Sequence, residues 1–154
     1  MKSNQAKKII EKIDLAIKDI NSFSDVSDLE KSYLAKFLVV FICGIYEEVI
    51  ENIVNERINK YKSIEISNYI KSSLDKTFRN PDIQNIKSLL GKFKEDWKLE
   101  IDNMSQNSQI AINNIVNYKN SLAHGNDVSI TLKDIIQYYA DSVTVINKID
   151  DMLL

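Results

Sequence analysis

The chain has 154 residues, with 20 lysines and arginines against 22 aspartates and glutamates. That length is enough for one domain with a substantial core, spanning residues 1–154, and the near balance of charge excludes the broad basic footprint of a protein that gathers nucleic acid by long-range attraction. From Leu99 onward Lys119, Lys133 and Lys148 face Glu100, Asp102, Asp127, Asp134, Asp141, Asp150 and Asp151, an acidity that weighs against broad electrostatic capture of nucleic acid but not against a small local site.

With 3 glycines and 1 proline, little interrupts helices. A first helix is expected over about 3–21, where Ile9, Ile10, Ile13, Ile17 and Ile20 recur on one face. Ser27 and Glu30 form a capping box for a long second helix reaching about Lys60. Its middle, residues 37–46, is apolar all round and reads as the central rod of a bundle. Ten residues are too few to cross a bilayer, which takes about 20. Cys43 lies in this run as the sole cysteine, so no intrachain disulfide forms and a reducing cytoplasm is expected. In that setting it reads as a small buried hydrophobe. No secretory leader pattern opens the chain.

Ser67 is expected to start a short helix. Asn80 is expected to cap another, with Pro81 at its first position and Gly91 after its end. A polar helix around Trp97 follows, the indole serving as a packing anchor. The next helix runs from about Asn107 to His124. Thr131 caps the last helix, which reaches about Met152. The expected fold is therefore an all-α bundle with a long central second helix and short connecting helices.

The helix that ends at His124 carries the candidate chemistry. His124 is the only histidine, and histidine is the side chain suited to exchanging protons near neutral pH. Gly125 can adopt the left-handed backbone that closes a helix, which places His124 in the last turn. At about 100° per residue, Ala111, Ile115, Tyr118 and Leu122 make one apolar stripe. Asn113, Asn117, Asn120 and His124 make another, roughly opposite. A core histidine would share the apolar stripe; this one shares a row of amides. The competing reading is an imidazole bonded to its own helix's final carbonyls.

Lys119 lies about 140° from His124 on the same wheel, leaning toward the apolar side. Such a lysine needs a solvent path along its stem or a carboxylate partner. Glu47, between Tyr46 and Val49, is the candidate partner; the alternatives are plain exposure on a helix rim or a supporting acid that positions Lys119 or His124. Arg57 and Arg79, the only arginines, read as solvated charges, with Arg57 a possible phosphate contact. No HxxxH, CxxC or dense carboxylate set suggests a metal, and no Gly-rich phosphate loop is present, so neither metal nor cofactor is expected.

The stretch Lys119-Asn120-Ser121-Leu122-Ala123-His124-Gly125 resembles the Arg-Asn-x-x-Ala-His-Gly signature of HEPN ribonucleases, particularly the RiboL-PSP-HEPN branch, with lysine in place of arginine. Residues 41–47, ending in Glu47, look like that branch's apolar second helix with its glutamate. Residues 80–90 followed by Trp97 are similar to its middle segment, and Thr131-Leu132-Lys133-Asp134 with Tyr138-Tyr139 to its closing helix. The likeness covers roughly residues 30–153.

Metal-free RNA cleavage needs a base for a 2′-hydroxyl, an acid for the leaving oxygen and positive charge at the phosphorane. One histidine cannot comfortably serve both sides of the phosphate; two copies across a two-fold axis can. The resemblance implies this arrangement: paired motifs meeting at a homodimer groove, with His124 as acid/base, Lys119 as the phosphate-stabilising cation, Asn120 orienting substrate or histidine, and Glu47 in support. Lysine offers a point charge where arginine offers a bidentate fork, so the substitution bears on whether the site is active. The expected function is a metal-independent endoribonuclease, a cytoplasmic toxin or defence effector with an RNA substrate and an antitoxin or defence-system partner. The alternative is a non-catalytic HEPN dimer that binds RNA, nucleotide or a partner protein.

Overall fold

The computed structural model describes residues 1–60 and 63–154, which contain seven helices and no strand. They are α1 (Asn4–Ser22), α2 (Asp28–Asn59), α3 (Ile64–Thr77), α4 (Ile83–Gly91), α5 (Trp97–Asp102), α6 (Gln106–Ala123) and α7 (Leu132–Leu153). Most boundaries follow from local capping. Ser3 accepts the Ala6 N–H at 3.1 Å to start α1. The Ser27 and Glu30 side chains exchange bonds with each other's backbone N–H to start α2, and Thr131 and Asp134 do the same for α7.

Two starts depart from the sequence expectation. Helix α3 begins at Ser63, not Ser67. The Ser63 hydroxyl accepts the Ile66 N–H, while the Ser67 hydroxyl donates back to the Ser63 carbonyl at 2.9 Å, a bond available only inside a helix already formed. Helix α4 is capped by Asp82, which accepts the Asn85 N–H at 2.8 Å. Pro81 therefore precedes the cap, and Gly91 is the last helical residue rather than the one after it.

Helix α2 packs against α1, α3, α6 and α7, and α6 packs most extensively on α7. Leu38, Val39, Ile42, Tyr46, Val49, Ile50 and Ile53 are fully buried along α2. Inside this core the Tyr46 hydroxyl shares a 2.7 Å hydrogen bond with Ser142, which offsets much of the cost of burying it. The fully buried Asp150 on α7 accepts the backbone N–H groups of Lys2 and Ser3. Those amides start α1 and have no intrahelical partner, so the carboxylate both satisfies them and ties the chain's ends together. Trp97 is half-buried against the core and stacks on Phe93 with ring centroids 6.3 Å apart, the anchoring role its sequence context suggested.

The central rod differs from expectation in one respect. Its middle is not enclosed all round: Phe37 is 51% and Val40 50% exposed, and Gly44 is exposed between them and Glu48. Tyr33, one turn earlier, is 63% exposed. At about 100° per residue these positions share one strip of α2, and no helix among the described residues covers it.

Candidate active site

Ser105 starts α6 by accepting the Ser108 N–H at 3.2 Å. The helix ends in a paired closure. Gly125 N–H donates to the Leu122 carbonyl and Asn126 N–H to the Ser121 carbonyl, each at 3.0 Å, with Gly125 at φ 76. This is a Schellman arrangement, and it makes His124 the C-cap residue itself, one position beyond the last helical turn. Among the described residues the His124 ring makes no hydrogen bond or ion pair, and it is exposed. The reading in which His124 merely bonds its own helix end does not hold.

The amide row on α6 is only partly open. Asn113 accepts the Ile83 N–H at 3.0 Å, fastening the start of α4 to α6. Asn117 is exposed and Asn120 half-exposed. The Asn120 carboxamide has no hydrogen-bond partner among the described residues, and it lies one turn before His124 on the same face. The open polar face is therefore Asn117, Asn120 and His124.

Lys119 faces elsewhere. Its ammonium donates to Asn80 Oδ1 at 3.0 Å and lies 4.0 Å from Glu47 Oε1. The candidate partner read from the sequence is present, but a neutral amide 39 residues away makes the shorter contact. Asn80 is thus not a helix cap; its side chain belongs to Lys119. Burial pushes the Glu47 carboxyl above its usual range, opposed by the Lys119 charge and reinforced by Glu51. The fully buried Cys43 thiol lies 4.0 Å from Glu47 Oε1 and is pushed up to about 12, chiefly by burial and then by the Glu47 charge. A thiol held that firmly protonated is no nucleophile at neutral pH.

Two contacts fix how α2 and α6 lie together. Glu47 pairs with Lys119, and Lys36 pairs with Asp127 just beyond His124 at 2.5 Å. Residue numbers rise along α2 as they fall along α6, so the helices run antiparallel and His124 stands level with the 37–44 stretch of α2. On the helical wheel Lys36 and Glu47 border the uncovered strip of Tyr33, Phe37, Val40 and Gly44. An open apolar strip and an unengaged histidine therefore lie side by side.

The structure brings Lys119 and Glu47 together and sets Asn120 beside His124, but the two pairs do not touch within one chain. Arg57 lies ten residues beyond Glu47, about 15 Å farther along the helix axis, which places it away from this region. Arg79 is exposed beside Asn80. Sequence reasoning missed Asn80 and Lys36; a lysine on an apolar face signalled the need for a partner, but nothing local indicated which. Among the described residues no three histidine, cysteine or acidic side chains gather where a cation could sit, and no helix is long and apolar enough to cross a membrane.

No curated protein and no solved structure matches this chain significantly. The RiboL-PSP-HEPN family profile matches residues 2–154, a span that includes α1 through α7 with the His124 cap, the Glu47–Lys119 pair and the uncovered strip of α2. The chain belongs to the RiboL-PSP-HEPN family.

Proposed function

We propose that this chain is one half of a homodimeric endoribonuclease that works by acid–base chemistry without a metal, acting as a toxin or defence effector. The observation that carries the reading is His124: an imidazole with no partner among the described residues, presented on a helix cap beside an apolar strip that no described helix covers. Leaving a strip containing Tyr33, Phe37 and Val40 in water is unfavourable, and at about 25 cal/mol per Å² of apolar surface a second copy seated on it gains stability. Pairing the strips about a two-fold axis sets one His124 on each side of a shared groove.

In that groove one imidazole takes the proton from a ribose 2′-hydroxyl as the oxygen attacks phosphorus. His124 of the partner subunit gives a proton to the departing 5′-oxygen as the P–O5′ bond breaks. The products are a 2′,3′-cyclic phosphate and a 5′-hydroxyl. Lys119 supplies positive charge for the phosphorane, and Asn120, one turn from His124, orients the ring or the sugar. Glu47 limits where the ammonium can go. RNA is held locally and not by long-range attraction, in keeping with a formal net charge of −2.

The test is to express wild type and His124→Ala in the same host and compare growth and total RNA integrity, then to assay the purified proteins on an RNA oligonucleotide. Growth arrest and fragments ending in cyclic phosphate with wild type alone support the reading. Intact RNA in both overturns it, leaving a non-catalytic dimer that binds RNA, nucleotide or a partner protein.

A further inference from the structure

We infer that Asn80 is a positioning residue for Lys119, and that the connection between α3 and α4 is thereby a wall of the active site; this rests on the nuclease reading above. An ammonium carries only donors, so the carboxamide oxygen of Asn80 must face it. The contact is 3.0 Å, against 4.0 Å to the Glu47 carboxylate. The amide therefore sets where the charge sits, and the carboxylate sits behind it.

Asn80 is itself held firmly. Its backbone carbonyl accepts from Asn85 Nδ2 at 3.0 Å, and that same amide group donates to Asp82 Oδ2 at 2.8 Å. Phe78 and Pro81 on either side of it are buried, and the proline fixes its own φ and restricts residue 80 to extended backbone. Asn113 pins the start of α4 to α6. The carboxamide is thus fixed relative to the helix that carries Lys119.

What the amide does that a second acid cannot is hold the ammonium at hydrogen-bond distance without adding to the negative charge that Glu47 already brings to 4.0 Å. Lys119 has three donors; Asn80 takes one, and the side chain remains 27% exposed. A long, flexible lysine stem would otherwise spread its charge over many rotamers, the disadvantage that an arginine's planar fork avoids. In this chain Asn80 compensates for lysine at position 119 by fixing the ammonium from outside.

The experiment compares wild type, Asn80→Ala, Asn80→Asp and His124→Ala by two readouts: cleavage of an RNA oligonucleotide, and the rate at which Lys119 is acylated by an amine reagent, followed by mass spectrometry. Asn80→Ala should free the ammonium, raising Lys119 acylation and lowering kcat on the order of 10- to 100-fold, the scale of a misplaced catalytic group. Asn80→Asp keeps an acceptor of the same size, so Lys119 stays protected, yet cleavage falls because a second carboxylate now meets the ammonium at hydrogen-bond distance in addition to Glu47 at 4.0 Å. A purely structural Asn80 would leave Asn80→Asp cleaving like wild type, and that result overturns the inference. Unchanged acylation and cleavage in Asn80→Ala overturns it as well. If wild type cleaves no better than His124→Ala, the nuclease reading fails; acylation then still decides whether Asn80 positions Lys119, faster labelling in Asn80→Ala supporting it and unchanged labelling refuting it.

Discussion

Four residues lie between Lys119 and His124, and the fold treats the two side chains in opposite ways. Lys119 is engaged within its own chain, bonded to Asn80 and backed by Glu47. His124 has no side-chain partner among the described residues and stands exposed at a helix end where loop amides bond the Ser121 and Leu122 carbonyls. The difference separates what one chain completes from what it leaves for another molecule. Lys119 is placed by intramolecular contacts, whereas in the proposed function His124 is left for substrate and a second copy.

The sharpest way to break that comparison is to remove the second copy. Phe37→Glu together with Val40→Glu places two charges on the strip while touching neither Lys119 nor His124. Sedimentation should then show monomer, and cleavage should disappear, while far-ultraviolet circular dichroism stays helical because both residues are about half exposed. A dimer that survives would move the interface elsewhere. His124→Ala should next cost about 10²- to 10⁴-fold in cleavage, the usual worth of a general acid or base. Its melting temperature should be unchanged, since the ring bonds nothing among the described residues; a large thermal shift would mean that His124 is structural after all.

Lys119 should behave differently, losing on both counts. Lys119→Ala is expected to lower cleavage about 10- to 1,000-fold and also to lower the melting temperature, because it leaves Asn80 without its donor and Glu47 without its counter-charge. Lys119→Arg should raise cleavage above wild type by restoring a forked donor set, measurable in the same oligonucleotide assay. Smaller still is Gly125→Ala. A φ of 76 costs an L-residue about 1–2 kcal/mol, seen as a fall in thermal stability, with a modest loss of cleavage as the His124 cap loosens.

The smallest expected effect is on pH. The Glu47 carboxyl is raised by burial more than Lys119 lowers it, so the folded state binds its proton more tightly than the unfolded chain does. This contribution is fully present at pH below the ordinary glutamate range and is lost as pH rises through the raised folded value. Glu47→Gln should flatten that part of the stability–pH curve and leave the melting temperature at neutral pH unreduced. A clear drop there would show that the Lys119 attraction outweighs burial.

Where reading the sequence succeeded, the determining groups lie within a few residues of each other. The Ser27–Glu30 and Thr131–Asp134 boxes, the Gly125 closure and the amide row beside His124 are all written in spacings of three or four, because helical caps and faces are local geometry. Serine capping was misassigned at Ser67 and asparagine capping at Asn80 for the complementary reason. Each residue could serve as a local cap, and each instead bonds elsewhere: Ser67 back to Ser63, Asn80 across to Lys119. His124, Asn120, Lys119 and Glu47 were legible as candidates, but not the role of Asn80 nor their grouping into an engaged pair and an open pair.

The sequence by itself determined the helices, most of their ends and the chemical character of position 124, since those depend on hydrogen bonds and side-chain types a turn apart. Only the tertiary structure decided that an amide 39 residues distant holds Lys119, that Asn113 is spent on α4, and that one strip of the central helix stays uncovered. An apolar side chain has the same hydrophobicity whether a neighbour covers it or not. Which face is left open follows from how many helices pack around α2 and at what angles, and no single stretch of the chain encodes that.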